Sequence, residues 1–156
     1  MVQYPNFDEK LAGTCGVYCG ACGIYQNNLQ GNPCAESRRE KHTETDSELK
    51  FCNGCGDKRD NSWSSQCPIG RCADLKNIRY CFQCKEFPCD LLQDFSELNQ
   101  PKRETIKNLY RMKEIGLKKW LAEADETYRC PSCRKRIEFH QKNCQKCSNI
   151  LTLTNR

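Results

Sequence analysis

The chain has 156 residues, of which 15 are cysteine and only 27 are Leu, Ile, Val or Phe; this excludes an ordinary apolar core, which needs roughly a fifth of the chain in those four types. Recurring Cys-x-x-Cys pairs and a formal charge of only +5 exclude intrinsic disorder in turn. No segment reaches the ~20 apolar residues of a membrane span, and MVQYPNFDEKLAG lacks the basic, apolar and small-residue regions of a secretory leader. The expectation is a soluble, cytoplasmic protein with no membrane partner, whose reduced thiols hold metals rather than disulfides. Metal binding then supplies folding free energy that the missing core does not.

Cysteines run from Cys15 to Cys89, and this block is interrupted by the charged segment Ser37 to Lys50, which reads as a solvated loop or exposed helix. After Cys89, the positions Leu91, Leu92, Phe95 and Leu98 follow the i, i+3, i+4, i+7 pattern of a short amphipathic helix. Pro101 opens a second helix carrying Ile106, Leu109, Tyr110, Met112 and Ile115, and Gly116 stops or bends it. A further stripe follows at Leu117, Trp120, Leu121 and Ala124. These stripes, with Trp63 and Trp120, read as packing surfaces. In the tail, Arg136 to His140 is expected to supply the strands of a hairpin.

The sharpest motif is Cys130-Pro-Ser-Cys133 followed by Cys144-Gln-Lys-Cys147. Each Cys-x-x-Cys turn aims two thiolates at one point, and two such turns give the tetrahedral sulfur set that Zn2+ prefers, hence a zinc ribbon. In the first block, Cys19/Cys22, Cys52/Cys55 and Cys81/Cys84 are half-sites by the same logic, with Cys67/Cys72 as a looser fourth. Four half-sites make two metals, and spacing leaves all three pairings open. Cys15, Cys34 and Cys89 are left over, as small buried hydrophobes or as members of a different cluster.

Cys15, Cys19 and Cys22 also have the C-x3-C-x2-C spacing by which radical S-adenosylmethionine enzymes hold three corners of a [4Fe–4S] cluster. A chain of this length with two valines cannot build the barrel such enzymes use. An iron–sulfur cluster without that chemistry, built on the triplet and Cys89, remains an alternative to zinc in this block.

Other chemistry is sparse. His42 and His140 read as surface residues, and no Ser/His/Asp set, phosphate loop or carboxylate pair stands out. A zinc closed by four thiolates has no position for substrate, which points away from an enzyme. Residues 129–156 hold seven basic side chains against one acidic. Arg129, Arg134, Lys135, Arg136, Lys142 and Lys146, interleaved with Tyr128, Phe139 and His140, therefore offer a nucleic-acid surface over 129–146 as a second alternative. The bulk charge itself says little, because three tetrathiolate zinc sites would bring +5 to about −1.

Taken in order, CGVYCGACGIY, FCNGC, CPIGRCA, YCFQCKEFPC, LKKWLAE, YRCPSC and CQKC resemble the uncharacterised cysteine-rich prokaryotic family known as domain of unknown function 3795. The resemblance covers about residues 11–98 and implies cytoplasmic metal binding, with zinc as the metal and no assigned reaction. Cys34 lies outside the family pattern and is excluded as a ligand on that ground. The family's frequency in anaerobes keeps the iron–sulfur alternative open.

The expected fold is a small metal-stabilised irregular α+β structure. It comprises a loop-rich Cys-knuckle domain over 1–98, a helical connector over 99–128 and a C-terminal zinc ribbon over 129–156. The expected function is that of a zinc-binding protein with structural tetrathiolate sites, acting as an interaction or adaptor module for an unknown protein partner.

Overall fold

A computed structural model describes residues 7–31, 52–56, 63–99 and 101–152. Cys34, His42 and the charged run from Ser37 to Lys50 lie outside these residues, as does the side chain of Trp63.

Five α-helices are present among them: α1 (Gly23–Leu29), α2 (Pro68–Leu75), α3 (Asp90–Glu97), α4 (Thr105–Ile115) and α5 (Leu117–Thr127). Each begins or ends where local chemistry requires. Pro68 opens α2 directly after Cys67, at a position where the absent N–H costs nothing. The same helix closes through Asn77, at φ 51°, with Ile78 N–H donating to Ala73 O at 3.0 Å and Asn77 N–H to Asp74 O at 3.1 Å. That is a Schellman stop, with asparagine in the left-handed position. Gly116, at φ 85°, separates α4 from α5. The helix forecast from Leu91 onward is α3, although only Leu92 is buried while Leu91 and Leu98 are exposed.

α4 and α5 share a core with the cysteine block. Leu109, Met112, Trp120 and Leu121 are buried in the same cluster as Cys15, Cys19, Cys52, Tyr18 and Tyr80. The loop carrying Cys15 lies directly on α4: a Cβ at Gly16, whose φ is +89°, would stand 2.5 Å from Thr105 O and 2.9 Å from the Leu109 side chain. Asn108 Nδ2 donates to Gly16 O at 2.9 Å and holds that approach. Cys81 N–H donates to Thr14 O at 3.0 Å, so the turn at Cys81–Gln83 docks on the same loop.

The strand half of the expected α+β fold is not found among the described residues. Among the described residues, β pairing is limited to three isolated antiparallel bridges, Ala12 with Tyr18, Arg129 with Arg136 and Asn143 with Ile150. The hairpin forecast over Arg136 to His140 fails to extend because its backbone serves other partners. Phe139 N–H donates to Ala21 O, beside α1, at 3.0 Å, and Gln26 Nε2 donates to Ile137 O at 3.2 Å. No helix among the described residues is long and apolar enough to cross a membrane.

Candidate metal centre

The tail brings Cys130, Cys133, Cys144 and Cys147 together, with their four sulfurs all within 4.8 Å of one another. Its two turns are built alike. Arg134 N–H donates to Cys130 O at 2.9 Å and Cys130 N–H to Lys135 O at 2.8 Å; Ser148 N–H donates to Cys144 O at 2.8 Å and Cys144 N–H to Asn149 O at 2.9 Å. The residue after each second cysteine, Arg134 or Ser148, takes a left-handed φ of 63° or 59°. That reversal folds the turn back and leaves backbone N–H groups directed at sulfur.

The electrostatics follow from those N–H groups. Backbone N–H bonds from Cys147 and Lys146 hold the Cys144 thiol down to about 6, and bonds from Cys133 and Ser132 lower Cys130. Although the N–H of Lys135 holds Cys133 down, burial and the neighbouring sulfurs push it up to about 11. Each turn thus holds one thiol that ionises more readily than an isolated cysteine, and a cation would displace the protons that remain.

The sulfur spacing fits one metal. Cys130 and Cys147 Sγ are 3.6 Å apart, and Cys133 and Cys144 Sγ are 3.5 Å apart. A tetrahedron with bonds of about 2.3 Å has sulfur–sulfur edges of about 3.8 Å. A four-iron cluster, whose ligands sit on separate irons, needs its sulfurs further apart. Ile137, Leu151 and the buried sulfurs of Cys130 and Cys144 form a small apolar cluster around the site.

Asp125 ties this tail to the rest of the molecule. It is 7 % exposed and accepts from Tyr18 Oη at 2.8 Å, Arg129 Nε at 2.9 Å and Arg136 Nη2 at 2.6 Å. Burial pushes the Asp125 carboxyl up, but the bonds from Arg136, Tyr18 and Arg129 outweigh it and hold the carboxyl below its ordinary value. Arg134 pairs with Glu126. Three of the six basic residues proposed for nucleic acid are therefore committed to carboxylates of α5. Above them Tyr18 stacks on Tyr128 at 5.9 Å, and Tyr128 meets Phe139 edge-on at 5.0 Å. Spacing gave no hint of Asp125. The left-handed positions were readable in principle, since Arg134 and Ser148 follow their cysteines identically.

None of the 14 described cysteines is in a disulfide. Among the described residues no second group closes its sulfurs as tightly as the tail. Cys19 and Cys52 are buried, Cys22 and Cys55 half-buried, and Cys55 N–H donates to Cys19 Sγ at 3.1 Å. Cys67 precedes α2, Cys72 lies within it, and Cys89 precedes α3. Burial, reinforced by Cys89, Cys72, Cys84 and Cys67, pushes Cys81 up to about 12. Lys76 Nζ donates to Cys84 Sγ at 3.4 Å. Cys15 is buried between the groups, raised by burial and then by Cys55, Cys67 and Cys81. His140 is exposed.

Comparison with curated proteins and with solved structures returned no match. Residues 11–94 match a family described as protein of unknown function, DUF3795. The match takes in both the Cys15–Cys22 and Cys52–Cys89 stretches, and it spans more than half of the chain, which therefore belongs to that family.

Proposed function

We propose that the protein is a zinc-binding protein whose metal is structural and whose role is to present a folded surface to a protein partner. The observation that carries this reading is the tail set of four sulfurs within 4.8 Å, held by two matching turns. Four thiolates saturate a tetrahedral zinc and leave no position for water or substrate, so the metal supplies folding free energy rather than Lewis-acid chemistry.

The surface that supports an adaptor role is an open groove of about 810 Å3 along α4 and α5. Its floor includes Tyr18, Trp120 and Tyr128, and its rim carries Glu104, Lys107, Arg111 and Glu123. An apolar floor with a charged rim is the anatomy of a protein-binding patch. Contact with nucleic acid through 129–146 draws less support, because Arg129, Arg134 and Arg136 already serve Asp125 and Glu126.

The test is elemental analysis with a visible spectrum on protein purified without oxygen. Zinc, no visible band, and loss of one zinc in Cys133→Ser support the reading. Iron with labile sulfide and a broad band near ~400 nm would replace it with an iron–sulfur protein in the first block. Wild-type binding unaffected by Cys133→Ser would refute the tail site.

A further inference from the structure

We infer that the Cys19–Cys22 and Cys52–Cys55 turns are the two halves of one tetrathiolate centre, distinct from the tail site, for a thiophilic divalent cation such as Zn2+. Spacing alone leaves three pairings of the four half-sites; the packing of the backbone selects this one.

Glycines of both segments seat the Cys52–Cys55 turn on residues 10–13, upstream of the Cys19–Cys22 turn. Gly54 has φ +104°, and a Cβ on it would stand 2.5 Å from Lys10 O. A Cβ on Gly56 would stand 2.7 Å from Ala12 O, and one on Gly13 would stand 3.3 Å from Cys55 Cβ. Only residues without side chains let the 52–56 turn press this closely on the 10–13 segment. Gly56 N–H then donates to Lys10 O at 2.9 Å and fixes the register.

This close approach delivers Cys55 N–H to Cys19 Sγ at 3.1 Å, across 36 positions of sequence. In the tail the first sulfur of each turn accepts backbone N–H bonds from its own turn. Here the sulfur of one turn accepts from the backbone of the other, which is a direct link between half-sites. Cys19 is 2 % exposed and Cys52 is 4 % exposed. Both lie within electrostatic reach of Cys22 and Cys55. Four buried or half-buried sulfurs so gathered are costly as thiolates without a cation between them. The remaining half-sites, Cys67/Cys72 and Cys81/Cys84, gather instead around α2 and the start of α3.

The inference rests on the thiolate–metal reading of the protein, and a metal count separates the two. In the full chain loaded with zinc and weighed by native mass spectrometry, Cys22→Ser and Cys55→Ser should each lose one zinc. The double variant Cys22→Ser/Cys55→Ser should lose the same single zinc, whereas Cys22→Ser/Cys133→Ser should lose two. Loss of two metals from Cys22→Ser/Cys55→Ser overturns the pairing. A wild-type chain holding one zinc, lost in Cys133→Ser, overturns this inference and leaves the tail site standing. Should the serine variants fail to fold, stepwise chelation of the wild-type chain with thiol alkylation gives the same answer. Cys19, Cys22, Cys52 and Cys55 should become labelled in one phase, and labelling of Cys19 and Cys22 in step with Cys81 and Cys84 but not with Cys52 and Cys55 overturns the pairing.

Discussion

Replacing Asp125 with Asn keeps the side-chain shape and removes the charge that joins α5, Tyr18 and the tail. Two guanidinium groups then face a neutral amide that can satisfy at most part of their donors. Removing one member of a fully buried ion pair costs about 3–5 kcal/mol. The side chains of Arg129 and Arg136 keep 30 % and 25 % of their surface in water, which restores part of their hydration and reduces the expected cost to about 2–3 kcal/mol. For a chain of this length that is a fall of roughly 5–10 °C in the melting midpoint. Urea unfolding of the metal-loaded protein, followed by tryptophan fluorescence, measures it, because Trp120 lies 6.3 Å from Tyr18 in an edge-on contact. The variant Asp125→Asn/Arg136→Met should recover part of the loss, since it leaves one fewer cation without a partner. The pH dependence has a definite sign. The Asp125 carboxyl is held below its ordinary 3.8, so its contribution is complete above that value and is lost as pH falls through the lower folded value. Asp125→Asn should therefore lessen the acid limb below about pH 4 relative to wild type. A cost under about 0.5 kcal/mol, the scatter of ordinary surface substitutions, would refute Asp125 as the joint between tail and body.

Other substitutions probe the remaining links. Gly16→Ala should destabilise by more than about 1 kcal/mol, because the added methyl meets Thr105 O at 2.5 Å and the φ of +89° strains any side chain; an unchanged denaturation midpoint would show that the loop does not bear on α4. Leu109→Ala removes a residue with no solvent exposure from the shared core and should cost about 2–5 kcal/mol by denaturant titration; a cost below about 1 kcal/mol would show that α4 does not share the core with the cysteine block. Cys130→Ser should perturb Trp120 fluorescence as well as the tail, since Phe139 packs in the main cluster and bonds to Ala21 O; a signal confined to the tail would show that the tail folds on its own. Zinc bound at the proposed tail site should be released on acidification. Protons compete with the metal for all four thiolates, so occupancy falls as the pH drops. A chromogenic zinc indicator reads the release, and retention unchanged to pH 5 would contradict it.

The grouping of the four tail cysteines was legible without a structure because Cys-x-x-Cys is a local signal: two residues between the thiols determine how both are aimed. The helices from Asp90 to Thr127 were legible for a related reason, since apolar period, Pro101 and Gly116 act over one or two turns. What lay beyond the sequence was every relation between distant segments. Nothing in the spacing of Leu109 or Trp120 says that α4 and α5 pack on the cysteine block, because an apolar stripe specifies that a face is buried and not what covers it. The forecast strands failed for the same reason, as alternation over five residues does not reveal that Phe139 N–H is claimed by Ala21. Asp125 looked like one acidic residue among many. Its role exists only where α5, Tyr18 and the tail arginines meet, and only the tertiary structure decides that meeting. The glycines at 13, 54 and 56 are plain in the sequence, but their demand for bare backbone appears only when two segments about 40 residues apart are brought within contact.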